Sequence, residues 1–125
     1  MKILLVFEGG SRNPRRSGFG VYATVRNNQR TVTHLEFSKG MTANESEYDT
    51  LITALEGLSR QGAAGETALE VMTTSKLIAY QLSGTWNANT ETLRQRRDRV
   101  QELMEAFKSV KVTLSARTQV EKLLK

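Results

Sequence analysis

Apolar and polar positions alternate with different periods along the chain, and each change of period marks an element. Ile3 to Phe7 is an unbroken apolar run, the pattern required of a strand buried on both faces. Gly9, Gly10, Ser11, Asn13 and Pro14 follow and read as a turn or loop. Phe19, Val21, Ala23 and Val25 then alternate with other residues, Asn27-Asn28 is a turn signal, and Thr33, Leu35 and Phe37 alternate again, so the spacing predicts a hairpin. Thr42 with Glu45 three residues later is a capping-box signature. Behind it Tyr48, Leu51, Ile52, Leu55 and Leu58 recur at helical spacing until Gly62 and Gly65. Leu69 to Met72 supplies a short strand, and Leu77 to Leu82 a short helix closed by Gly84. Leu93, Val100, Leu103 and Phe107 mark a longer helix, Val110, Val112 and Leu114 a fifth strand, and Gln119 to Leu124 a helical tail. The predicted order is β-β-β-α-β-α-α-β-α without internal repeats, which favours a mixed sheet with helices on its faces.

A chain of 125 residues has the size of one domain, and residues 1–125 are expected to fold as a single unit around one modest core. No apolar run approaches the length that crosses a bilayer and no signal-peptide pattern is visible, so the expectation is a cytoplasmic protein with no membrane partner. Cysteine is absent and His34 is the sole histidine, which leaves carboxylates as the ligands for any metal. Such an ion would be hard, Mg²⁺ or Mn²⁺.

Eighteen Lys and Arg against thirteen Asp and Glu give a net charge of +5, which favours a polyanionic partner. The arginines cluster at Arg12, Arg15 and Arg16 and again at Arg94, Arg96, Arg97 and Arg99. The second four cannot all face a core built on Leu93, Val100, Leu103 and Phe107, so most are expected at the surface. They form either a solvated face or a set of phosphate contacts, with Arg96 and Arg97 the candidates for binding.

Two carboxylates interrupt the apolar pattern. Glu47 precedes Leu51, Leu55 and Leu58 by four, eight and eleven residues, which aims it along the buried stripe of its helix, although the helix dipole also favours an acid in a first turn. Glu8 closes the most apolar strand, where a strand end turned to solvent would equally accept it. An acid ending a central strand and an acid entering the core face of the next helix together suggest one shared site.

The run Phe7-Glu8-Gly9-Gly10-Ser11, with Asn13-Pro14 and Gly18-Phe19-Gly20, resembles the opening of type 1 ribonuclease H, which reads Asp-Gly-Gly/Ala-Ser, Asn-Pro-Gly and Gly-x-Gly. Thr42-Ala43-Asn44-Glu45-Ser46-Glu47-Tyr48 is similar to that family's Thr-Asn-Asn-x-Ala-Glu-Tyr. Thr74-Ser75-Lys76-Leu77-Ile78, Gln81-Leu82-Ser83-Gly84 and Trp86 resemble its Asp-Ser-x-Leu-Val, Gln-Val-Asn-Gly and Trp. The match is collinear over almost the whole chain. It implies an α/β ribonuclease H-like fold: a five-stranded mixed sheet, the first three strands antiparallel and the fourth and fifth parallel to the first, with helices on both faces. The family hydrolyses the RNA strand of RNA–DNA hybrids with two divalent ions held by four acidic residues. Ions roughly 4 Å apart activate the attacking water and stabilise the leaving oxygen, so several carboxylates must converge on them.

Carried over residue by residue, that acidic set is incomplete. Glu47 stands at the helix acid's position, and Glu8 replaces the first-strand Asp with a carboxylate extended by roughly 1.5 Å. These two are the candidate metal ligands. Thr74 takes the place of the Asp after the fourth strand, and a hydroxyl neither balances metal charge nor bridges two ions. Glu121 is the candidate for the last acid if the preceding loop is shortened, and otherwise a surface glutamate; Arg117 lies nearest the place of the family's product-release histidine. Among substrate-contact positions, the resemblance implies groove contact for Asn44, while Ala43 has lost the corresponding amide. Asn44 also suits a helix start. Asn13 and Ser75 suit either phosphate contact or loop hydrogen bonding, and Trp86 either a core lid or the DNA-strand channel. Three functions fit: a catalytically impaired or inactive domain binding RNA–DNA hybrid or double-stranded RNA; an active hybrid ribonuclease with an altered carboxylate set, using Mg²⁺ or Mn²⁺; and a structural or protein-interaction domain that holds no metal.

Overall fold

A computed structural model describes residues 1–62 and 64–125. Its strands are β1 (Lys2–Arg12), β2 (Ser17–Arg26), β3 (Gln29–Glu36), β4 (Ala68–Thr73) and β5 (Ser109–Leu114). Its helices are α1 (Ala43–Arg60), α2 (Lys76–Leu82), α3 (Glu91–Glu105) and α4 (Arg117–Leu124), with a 3₁₀ turn at Ala64–Glu66. The strands form one sheet in the order β3-β2-β1-β4-β5, in which β1, β2 and β3 are antiparallel and β4 and β5 run parallel to β1.

The central place of β1 explains its unbroken apolar composition. Ile3, Leu5 and Phe7 pack on one face into the large cluster with Leu51, Leu55 and Val100 of α1 and α3. Val6, with partly buried Leu4 beside it, packs on the other face against Val120 and Leu124 of α4. Residues 2 to 6 pair with β4 on one edge while Leu4 to Arg12 pair with β2 on the other. The β2–β3 hairpin turns at Asn27 and Asn28, whose φ values of 51° and 63° give it the left-handed backbone that asparagine tolerates. The strand β3 stops at Glu36, one residue before the expected Phe37.

One local expectation is corrected. Gly9, Gly10 and Ser11 are not a loop; they continue β1 to Arg12 in register with β2, Gly9 opposite Gly20 and Ser11 opposite Gly18. The turn comes at Asn13 to Arg16 instead. Turn-forming composition yields here to cross-strand pairing, and the glycines serve close packing rather than a bend.

The helix α1 begins with the expected capping box: the Thr42 hydroxyl accepts from the Glu45 amide at 3.1 Å, and the Thr42 amide donates to the Glu45 carboxylate at 2.9 Å. It ends at Gln61, and Gly62 follows with a φ of +75° that favours glycine. Its first turns lie very close to the sheet. A Cβ at Gly9 would stand 2.7 Å from the Cα and N of Glu47, and one at Gly20 would overlap the side chain of buried Thr50. Gly9→Ala therefore forces the helix and strand apart and is expected to cost about 1–3 kcal/mol. A urea-denaturation midpoint unchanged from the parent protein would contradict this account of the packing.

Candidate functional site: a carboxylate cleft at the end of the parallel strands

Pairing of β1 with β4 ends at Val6 and Met72, and the chain leaves β4 after Thr73. Beyond that point β1 continues alone on this edge, so its next residues face a gap at the carboxyl ends of the parallel strands. This is where open α/β sheets place their ligands. The resulting cleft of about 210 Å³ is lined by Glu8, Phe19, Glu47, Thr74 and Arg117 among others. Glu8 comes from β1, Glu47 from α1 seated on Gly9, Thr74 from the segment after β4, and Arg117 from the first turn of α4.

Both carboxyls are perturbed in the same direction. Burial pushes the Glu47 carboxyl above its ordinary value; a hydrogen bond from Ser75 opposes the shift and the charge of Glu8 adds to it. Burial also raises Glu8, against the attraction of the Arg117 guanidinium and with the repulsion of Glu121. Three of the four expected positions, Glu8, Glu47 and Thr74, thus meet in one cleft, and Glu121 lies within electrostatic reach of Glu8. The carboxylate of Glu121 lies 3.6 Å from the exposed Arg117 guanidinium one turn away.

The remaining candidates fall elsewhere. Ser75 caps α2, accepting from the Ile78 amide at 3.2 Å, and also serves Glu47. Asn44 is half-buried in the first turn of α1, and the cap there is made by Thr42. Asn13 is exposed in the β1–β2 turn. Trp86 is 45% exposed, tilted against Tyr80 at 4.8 Å between ring centres, so it is no core lid. Its loop is tied down by buried Gln81, which accepts from the Tyr48 hydroxyl at 2.6 Å and donates to the Asn87 carbonyl at 3.3 Å. Burial pushes that phenol up to about 12, so it stays a donor.

Of the α3 arginines, Arg94 and Arg99 are exposed and Arg96 and Arg97 half-buried, and all four are engaged by carboxylates. Arg96 binds Asp49 at 2.8 Å and lies 3.5 Å from Glu45, both on α1. Arg97 pairs with Asp98, Arg94 with Glu91, and Arg99 with Glu56 and Glu102. Every arginine of this helix has a carboxylate partner. Sequence reasoning missed these pairings, though Glu45, Asp49 and Glu56 at helical spacing on α1 were a signal for a basic stripe opposite. Arg117, expected nearest the place of the product-release histidine, lines the cleft.

An implied pair of divalent ions does not fit this donor set. Among the described residues no three of His, Cys, Asp and Glu come together closely enough to hold a metal ion. The cleft offers two carboxylates and a hydroxyl, with a guanidinium already supplying positive charge.

The family described as reverse transcriptase-like matches residues 7–122, and the chain belongs to this ribonuclease H-like family. Ribonuclease HI of Halobacterium salinarum is 38% identical over 72 residues, 58% of this chain and 35% of that protein. The crystal structure of RNase H1 from that archaeon superposes with a TM-score of 0.87 at 27% identity, covering 98% of this chain and 92% of the other. Bifunctional protein Rv2228c of Mycobacterium tuberculosis is 30% identical over 112 residues, 88% of this chain and 30% of that protein. Its N-terminal RNase H domain, solved as a fusion with maltose-binding protein, gives a TM-score of 0.81 at 25% identity, covering 98% and 95%. LC11-RNase H1, solved in complex with an RNA/DNA hybrid, gives 0.85 at 22% identity over 97% and 90%, a likeness of fold alone. The chain spans about a third of the length of the two curated relatives. Among the described residues no helix is long and apolar enough to cross a membrane.

The perturbed carboxyls give a pH signature. Where the folded-state pKa of an acid stands above the unfolded one, the stability it contributes is complete below the unfolded value and is lost as pH rises through the folded value. Ionisation of Glu47 therefore costs stability between its ordinary 4.5 and its raised value. Thermal melts across that range and up to neutrality should show Glu47→Gln gaining on the parent protein as pH rises. Parallel curves for the two proteins would refute the burial of a charged Glu47.

Proposed function

We propose that residues 1–125 act as one ribonuclease H-like domain that binds an RNA–DNA hybrid or another nucleic-acid duplex and is catalytically impaired. The observation that carries the second half is the composition of the cleft: two carboxylates, Glu8 and Glu47, face Arg117, with Thr74 where a third acid is needed. In-line displacement assisted by two ions requires carboxylates that bridge and neutralise them. A neutral hydroxyl at Thr74, a longer side chain at Glu8 and a Glu121 already paired with Arg117 leave that requirement unmet. A misplacement of one bond length exceeds the roughly 0.5 Å tolerance of a catalytic constellation.

Binding rests on family membership, on the hybrid seen with LC11-RNase H1, and on the net charge of +5. In this reading Asn44, in the first turn of α1 ahead of Glu47, is a groove contact, Asn13 in the β1–β2 turn meets the backbone phosphates, and Ser75 holds Glu47 in place. Trp86 stands as a stacking surface for one strand. Arg96 and Arg97 would have to leave their carboxylates to meet phosphates, so they contribute little.

Purified protein incubated with labelled hybrid in Mg²⁺ is expected to retain the hybrid at low salt without releasing RNA fragments. Metal-dependent fragment release that copurifies with the chain would overturn the impaired reading. Glu8→Asp with Thr74→Asp rebuilds two ligands and is expected to gain Mn²⁺-dependent cleavage over the parent protein. Continued inertness of a folded double variant would place a further defect at Glu121 or in the substrate channel.

A further inference from the structure

The net charge of the chain is concentrated. Residues 9–44 contain six basic side chains, Arg12, Arg15, Arg16, Arg26, Arg30 and Lys39, against the single acid Glu36, and the rest of the chain holds equal numbers of basic and acidic residues. Within that segment three arginines have internal partners. Arg12 lies 4.0 Å over the Phe19 ring and pairs with Glu36 at 3.1 Å. At the far end of the sheet Arg26 donates to Gln61, and Arg30 to the carbonyls of Lys122 and Leu123. Arg15, Arg16 and Lys39 remain, all exposed, with no side-chain hydrogen bond or ion pair among the described residues.

These three cations share one platform. The Gly40 amide donates to the Arg15 carbonyl at 3.3 Å, the Met41 amide to the Arg16 carbonyl at 3.0 Å, and the Ser11 hydroxyl to the Met41 carbonyl at 2.8 Å. The β1–β2 turn and the loop that follows β3 are thereby bound edge to edge, with their cations outward. The platform adjoins the cleft by two routes. The strand β1 runs from Glu8 to Arg12 in four residues, roughly 13 Å, and Met41 and Thr42 lead straight into Asn44 and Glu47.

We propose that Arg15, Arg16 and Lys39 form the principal phosphate contact for a nucleic-acid duplex lying across the carboxylate cleft, so that the β1–β2 turn anchors it rather than α3. The inference rests on the duplex-binding reading above and names the surface responsible. A duplex carries one negative charge per roughly 1.7 Å of axis, so one that covers the cleft and reaches the turn presents several phosphates over this span. The arginines of α3 offer no comparable surface, because each phosphate contact there would displace an existing carboxylate.

The test is fluorescence anisotropy of a labelled RNA–DNA hybrid against salt concentration, with polyglutamate as a second probe. The variant is Arg15→Ala, Arg16→Asn, Lys39→Ala; asparagine is used at position 16 because the φ of 53° there strains most other side chains. The control is Arg94→Ala with Arg99→Ala. Each phosphate contact contributes roughly 0.9 to the slope of log affinity against log salt. The triple variant is expected to lose about 2 to 3 units of slope with an unchanged melting temperature. The control should keep the parent slope, and Arg15→Lys with Arg16→Lys should largely retain it. A parent-like slope in the triple variant, or an equal loss in the control, overturns the assignment while leaving duplex binding intact. Polyglutamate binding that the triple variant alone loses, with hybrid binding retained, reassigns the patch to an acidic protein and also overturns it. A parent protein that fails to bind hybrid at low salt removes the duplex-binding reading itself.

Discussion

At Gly9 the backbone of β1 and the first turn of α1 come so close that the smallest side chain would meet the Cα of Glu47. That contact fixes where the helix sits on the sheet, and the rest of the site follows from it. Glu47 is delivered to the edge of β1, beside Glu8, at the point where the strand outruns its pairing with β4. The two carboxylates are then partly withdrawn from water and near each other, and both hold their protons more tightly than free glutamate. The same approach requires Gly20 opposite, where a side chain would enter Thr50. The glycines of this motif are therefore packing residues first. They continue a strand and let a helix lie on it.

Electrostatic matching elsewhere decides which charges are available. The acids of α1 and the arginines of α3 are both arranged at helical spacing, and where the helices pack they neutralise one another through Arg96 with Glu45 and Asp49 and Arg99 with Glu56. The Arg96 pairs are part-buried and the Arg99 pair is exposed, and together they withdraw these α3 arginines from the set of free cations. Arg117 and Glu121 repeat the pattern at the mouth of the cleft, where a largely exposed guanidinium stands near carboxylates. Among the described residues, the β1–β2 turn and the loop packed on it carry three exposed cations, Arg15, Arg16 and Lys39, with no carboxylate partner.

Much of this was legible in the residue pattern. Every strand and helix was marked by its period, because the apolar faces are continuous and β1 is buried on both sides. Glu8 and Glu47 were legible for the opposite reason: each broke an apolar pattern that had no use for a charge. The extension of β1 through Gly9, Gly10 and Ser11 was hidden because its composition imitates a turn, and only pairing with β2 decides its conformation. The ion pairs of α3 were hidden by distance, since Arg96 and Asp49 are 47 residues apart and only the docking of two helices brings them together.

On the proposed reading, a cleft with two carboxylates, a threonine and an arginine does not assemble a two-ion centre even when a duplex supplies its phosphates. The direct measurement is the number of Mn²⁺ ions bound per chain in the presence of an RNA–DNA hybrid, counted by electron paramagnetic resonance of free and bound manganese after correction for the hybrid alone. No more than one ion per chain is expected, lost on Glu47→Gln if present. Two ions per chain, both lost with Glu8 or Glu47, would contradict it.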